Sequence, residues 1–172
     1  MIKFRDHIWL LIFISFLFCL DISLTTLVSN LLPGPFVVSS SLFLIAIVHF
    51  SSISTSFPLV ALTVCLGLCY DVYYFNIWGL YIILFPLFVL FAAYCHQKIS
   101  SGLQLDILLI VILVFAMMVI GYLVSCGFGL LQISFDRFVY TNVAPSVFYN
   151  VCMTILLFPI NNRLDKYFLR ER

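Results

Sequence analysis

Three carboxylates, three histidines and one pair of thiols are the groups in this chain whose chemistry goes beyond packing. Asp21, Asp71 and Asp106 each stand inside or at the edge of a long apolar run. A carboxylate held at bilayer depth costs roughly 2.5–3.5 kcal/mol on insertion scales, so each needs a partner or a water-filled cleft. Asp21 lies past the midpoint of the first run. It reads either as a hydrogen-bonded packing residue or as a ligand or partner contact. Asp71 ends the third run, where a negative charge opposes the helix dipole. Its compensation is expected from the amides opening the next helix, around Asn76 to Trp78, or from a partner. Asp106 falls in the first turn of its helix, a favourable place for a carboxylate, with Ser100 and Ser101 as candidate caps. His7, His49 and His96 are expected at the ends of their helices as interface residues. A shared metal would need them to converge and at least one more ligand, and no HxxxH spacing occurs. Cys65 and Cys69 are one helical turn apart, with no other soft ligand beside them. No Ser, His and Asp gather in one loop, and no glycine-rich phosphate loop is present. The sequence therefore carries no expectation of catalysis, cofactor or metal.

The elements that must position these groups are membrane helices. Of 172 residues, 65% are hydrophobic and 9% are charged, against about 45–50% and about 25% in soluble domains. The reading is an all-α integral membrane protein, one transmembrane domain over residues 1–172 with no soluble part. A crossing helix takes roughly 20 apolar residues, and the runs fall at about 8–29, 35–50, 57–72, 77–97, 103–126 and 142–162. Six helices are thus expected. Five is the alternative, because the second and third runs are short. Pro33-Gly34-Pro35 separates the first two, since proline lacks an amide donor and restricts the residue before it. The first run has no small-residue cleavage site and is long enough to span. The six cysteines lie in apolar runs and form no disulfide framework.

Charge sets the expected orientation. Six spans place Lys3, Arg5, Lys98, Arg163, Lys166, Arg170 and Arg172 on one side, with only Arg137 opposite. That bias predicts a multi-pass protein of the plasma membrane with both termini cytoplasmic. A formal net charge of +1 gives no expectation of nucleic acid; membrane lipid is the surface the chain meets. The segment Gly127–Asn142 is too apolar for a solvated loop. It reads as an interfacial or folded-back piece, with Asp136 and Arg137 as candidate contacts. The last run opens with Pro145 in its first turn and holds Asn150 well inside, where a buried amide seeks an interhelical hydrogen bond.

Gly67 and Asp71 form a Gly-x-x-x-Asp at the end of a middle helix. Gly79 follows at the next helix start, Lys98 follows that helix, and Pro145, Ser146 and Asn150 open the last one. In these features, from about residue 43 to about 165, the chain resembles the rod shape-determining MreD family of bacteria. The resemblance implies a non-catalytic scaffold of the machinery that inserts side-wall peptidoglycan. Its implied partners are an MreC-like bitopic protein, a RodA-like transglycosylase and a class B penicillin-binding protein. It also implies a fold similar to the substrate-binding subunits of energy-coupling factor vitamin transporters, which supplies the rival reading of a vitamin-capture subunit. Such subunits usually show small residues on the first helix, and Ile8 to Val28 contains no Ala or Gly. The candidate contact or packing residues are Asp21, Gly67, Asp71, Gly79, Asp136, Arg137, Pro145 and Asn150.

Overall fold

The computed structural model describes residues 4–31, 34–52, 57–72, 79–99 and 102–169. They form α1 (Phe4–Leu31), α2 (Leu42–Ser51), α3 (Phe57–Tyr70), α4 (Leu80–Lys98), α5 (Leu103–Gly127), the single turn α6 (Phe135–Phe138), a π turn (Val139–Val143) and α7 (Ala144–Leu169). The protein is an all-helical membrane bundle. Four stretches, Ile12–Leu31, Leu80–Lys98, Leu103–Gly127 and Phe135–Pro159, are long and apolar enough to cross a bilayer. α2 and α3 are shorter apolar helices.

α2 is the axis of the bundle. All ten of its residues are buried, and α1, α4, α5 and α7 pack around it. Its sequence LFLIAIVHFS has no polar face until His49, which is what a helix enclosed on all sides requires. Phe43 fixes its first turn, with its ring 5.3 Å from Phe18 on α1 and 4.9 Å from Phe85 on α4. Such aromatic contacts, repeated between Tyr70 and Tyr81 at 4.5 Å, give several of the 19 phenylalanines and nine tyrosines a packing role.

The second apolar run is not the helix over 35–50 that hydropathy suggests. Residues 36–41 are outside any helix, and the helix starts only at Leu42. Three consecutive serines and two valines favour extended backbone and local side-chain bonds over a helix interior. At 1.5 Å per residue, α2 covers about 15 Å.

Helix limits shift elsewhere for local reasons. α4 starts at Leu80 rather than 77, after Gly79 at φ 114°, a left-handed conformation that glycine adopts without the steric cost of a side chain. The last helix begins earlier than 142, because α6 and the π turn lead straight into α7. Pro145 therefore lies inside a continuous helical stretch. Proline offers no amide to the carbonyl four residues back, and that carbonyl, Thr141 O, accepts Val37 N–H at 3.0 Å instead.

α3 and α4 form the most intimate helix pair. Gly67 sits where they meet: a Cβ there would overlap the Tyr81 carbonyl. The obstruction is backbone, which cannot swing aside as a side-chain end could. Gly67→Leu is therefore expected to separate the pair and lower the thermal unfolding midpoint in detergent by several degrees. An unchanged midpoint would reject the close approach as a requirement.

Candidate functional site

The polar residues of the bundle gather at three stations. The first is the start of α2. The Asp21 carboxylate accepts the Ser40 hydroxyl at 2.5 Å and the amides of Leu42 and Phe43 at 2.7 and 2.9 Å. A side chain on α1 thus caps α2 in trans, and the dipole of α2 favours the negative charge there. The residue is 5% exposed, so the carboxylate serves the chain's own backbone.

The non-helical stretch leading into α2, residues 36–41, is bound in the same way. The amides of Val38, Ser39, Ser40 and Ser41 donate to Ser29 Oγ, Ser146 Oγ, Thr25 Oγ1 and Asn150 Oδ1, at 3.1, 2.9, 3.1 and 2.9 Å. Asn150 Nδ2 donates to the carbonyls of Ser39 and Ser146, both at 2.8 Å. Asn150 is fully buried. Its expected interhelical bond is therefore a set of three contacts, two of which hold non-helical backbone.

The second station repeats the arrangement between α3 and α4. Asp71, directly after α3 and 1% exposed, accepts the amides of Gly79, Tyr81 and Ile82 at 3.0, 2.9 and 3.2 Å. These partners lie a few residues beyond the stretch expected from sequence, because α4 starts later. Gly67 stands one turn below Asp71 on the same helix face. The glycine lets α4 come close enough for the carboxylate to reach its first amides, so the Gly-x-x-x-Asp spacing is one device.

The third station lies at the opposite end of the bundle, where Phe13 of α1 meets Phe50 and Phe158 of α7 meets His49. Asp106 falls in the first turn of α5, as the sequence predicts with Ser100 and Ser101 as candidate caps. Those serines fall outside the described residues, and no side chain caps Gly102 at the α5 start. Asp106 instead faces two histidines, His49 at 3.0 Å and His96 at 3.5 Å. Both histidines lie in the last turns of their helices, as expected, with side chains turned into the bundle. The side chain of His7 lies outside the described residues. Among the described residues no group of His, Cys, Asp or Glu has the geometry to hold a metal.

Asp136 and Arg137 are exposed in α6, at the end of the bundle that carries the first two stations. They are not brought together with Asp21 or Asp71. The segment after α5 folds back on that helix. Leu130 N–H donates to Ser125 O at 2.9 Å, Tyr122 OH donates to Ile133 O at 2.8 Å, and Tyr122 stacks on Phe138 at 4.5 Å. It leaves Phe128, Leu130, Phe135 and Tyr140 between 46% and 66% exposed, an apolar shelf beside the adjacent Asp136 and Arg137. Pro145 is half-buried at the head of α7.

Reading the residues singly missed the stripes. Asp21, Thr25 and Ser29 recur every four residues on α1, as do Ser146, Asn150 and Thr154 on α7. That spacing puts each trio on one helix face, and both faces turn to the non-helical stretch.

This arrangement defines a class: a multi-helix membrane bundle with a centrally enclosed half-length helix, its polar side chains turned inward. The sequence profile of the rod shape-determining protein MreD matches residues 5–168 of the chain, and the protein belongs to that family. Its role accordingly lies in the determination of cell shape, in a family of structural and generally non-enzymatic membrane proteins. Comparison with curated proteins and with solved structures gives no match.

Asp21→Ala would leave two buried amides and a hydroxyl without acceptors. At about 1–3 kcal/mol for each unsatisfied amide, the expected loss is about 2–6 kcal/mol. The exposed Asp136→Ala is expected to change stability by less than about 0.5 kcal/mol. Thermal unfolding of both variants in the same detergent checks the contrast; equal midpoints would show that Asp21 does not hold α2.

Proposed function

We propose that the protein is a non-catalytic scaffold that receives the single membrane helix of an MreC-like bitopic partner and supports side-wall peptidoglycan synthesis. A RodA-like transglycosylase and a class B penicillin-binding protein complete the assembly in this reading. The observation that carries it, beside family membership, is the disposition of polar groups. Asp21, Asp71 and Asn150 turn inward to the protein's own backbone, while the shelf of Phe128, Leu130, Phe135 and Tyr140 turns outward. A pocket for a small polar ligand wants several convergent, uncommitted polar groups, and these residues are committed to the fold.

In this reading the chain crosses the inner membrane six times, counting the non-helical stretch with α2 as one crossing, and both termini are cytoplasmic. The seven basic residues assigned to one side support that orientation. The shelf then lies at the outer interface, where a single-helix partner passes into its external domain. Contact there would rest on van der Waals packing, since lipid tails remove the hydrophobic drive between helices. The fold that the resemblance implies, that of vitamin-capture subunits, supplies the alternative function.

Affinity purification from native membranes in mild detergent tests the proposal. Wild-type protein is expected to retain an MreC-like protein. The double variant Leu130→Glu/Phe135→Glu, with an unchanged unfolding midpoint, is expected to retain about tenfold less, a loss of about 1.4 kcal/mol. Equal recovery would remove the shelf from the interface. Recovery of a paired ATPase and its coupling subunit instead would overturn the scaffold in favour of vitamin capture.

A further inference from the structure

The scaffold reading makes no use of the outward face of α1. The inward face packs on α2 and α3, with Ile14, Leu17, Phe18 and Asp21 buried. On the other side Ile12, Phe16, Cys19, Ser23, Thr26 and Asn30 are all exposed. These six are spaced 4, 3, 4, 3 and 4 residues apart, which is a repeat of 3.5. That is the seam of a helix pair that supercoils left-handedly. Phe16, Ser23 and Asn30 take its a positions, and Ile12, Cys19 and Thr26 its d positions. The seam runs along the whole apolar stretch Ile12–Leu31.

Lipid accounts for the first half of this face but not for the second. Ile12 and Phe16 suit acyl chains. Ser23, Thr26 and Asn30 do not, because polar side chains of a crossing helix are stabilised by turning to protein. Asp21 and Asn150 do so in this bundle. The Thr26 hydroxyl donates only within its own helix, to the carbonyls of Ser23 at 2.8 Å and Ile22 at 3.3 Å. Among the described residues, the side chains of Ser23 and Asn30 have no hydrogen-bond partner. The shape of the face is also specific. A shallow groove is lined by Ser23, Thr26, Leu27, Asn30 and Leu31. The first four stand at i, i+3, i+4 and i+7, the four-residue hole that receives one side chain from a facing helix.

We propose that the outward face of α1 docks α1 of a second copy of this chain, forming a parallel, two-fold symmetric dimer within the membrane. Copies of one membrane protein insert with one orientation, so their first helices run parallel. A two-fold axis along the membrane normal then sets each seam residue opposite its own counterpart. The face suits that pairing. It carries no charge, and Ser, Thr and Asn each both donate and accept hydrogen bonds, so it is complementary to itself. A polar Asn at an a position, here Asn30, fixes the register and strand number of a parallel pair. No Gly or Ala occurs between Ile12 and Leu31, which leaves the left-handed crossing near +20° rather than the closer small-residue type. A foreign helix would have to bring donors and acceptors at the levels of Ser23, Thr26 and Asn30, whereas the chain's own α1 already has them there. The dimer is independent of the scaffold reading, and holds or fails whichever protein the shelf of α6 receives.

The test uses the full-length chain in native membranes and its own thiols. Cys19 lies on the seam, and Cys65 is exposed on α3. Two variants each keep one of these cysteines, with the other five changed to alanine. Under copper phenanthroline, the chain with Cys19 alone is expected to give a disulfide-linked dimer and the chain with Cys65 alone to stay monomeric. Adding Asn30→Val to the former is expected to lower the linked fraction about threefold, the worth of one interhelical hydrogen bond in lipid. No dimer, equal dimer from both thiols, linkage unchanged by Asn30→Val, or Cys19 linked to a different protein would each overturn the proposal. If the chains with one cysteine do not fold, Cys19→Ala in the otherwise native chain decides: loss of the wild type's linked dimer supports the seam, and its retention or its absence from the wild type rejects it.

Discussion

The constraint behind this structure is the absence of water from the bilayer interior, where each backbone amide needs a partner supplied by the protein. A helix that begins inside the bundle presents its first amides to no carbonyl of its own. α2 begins there, and so in effect does α4. In both places the solution is a carboxylate from the preceding helix. Asp21 reaches the amides of Leu42 and Phe43, and Asp71 reaches those of Gly79, Tyr81 and Ile82. The expense of placing a charge in an apolar setting is offset by the charge-assisted bonds and the helix dipole it meets. Two helix pairs, α1–α2 and α3–α4, thus share one principle of construction although their sequences show no repeat.

The consequence for packing is that α2 can be short and wholly apolar. Once its start is held, it has no need of a lipid-facing surface, and α1, α4, α5 and α7 close around it. The close approach at Gly67 serves the same end on the other pair, because Asp71 acts only at hydrogen-bonding distance. Polar groups that look expensive in the sequence are therefore what allows the centre of the bundle to be built from ten enclosed residues.

Much of this was legible in the residues. Hydropathy gave the helical class and the approximate runs, the cost of burying charge singled out Asp21 and Asp71, and the need of a buried amide for a partner singled out Asn150. The Gly67 and Asp71 spacing marked the tight pair. The non-helical stretch before Leu42 was not legible, because FVVSSS is as apolar on average as many helix starts. Its partners are contributed by α1 and α7, and periodicity within the segment contains no trace of them. The convergence of His49, His96 and Asp106 was hidden for the same reason: each residue alone looks like an ordinary helix-end group. Pro145 had a visible local role at a helix start, whereas its effect on Thr141 emerges only when Val37 is found to use the carbonyl that it leaves vacant.

The non-helical stretch also orders events during biosynthesis. Ser41 N–H is received by Asn150, a residue made 109 positions later, and the partner of Ser39 N–H is made 107 positions later. As the chain leaves the ribosome, this stretch is made before α7 exists to receive it. It cannot settle into lipid as a finished unit, and must be sheltered by the insertion machinery or by its own first helix until the last one arrives. Synthesis of the C-terminal helix is thus the step that completes the centre of the protein, and a chain cut short before it would present open backbone to the quality-control proteases of the membrane.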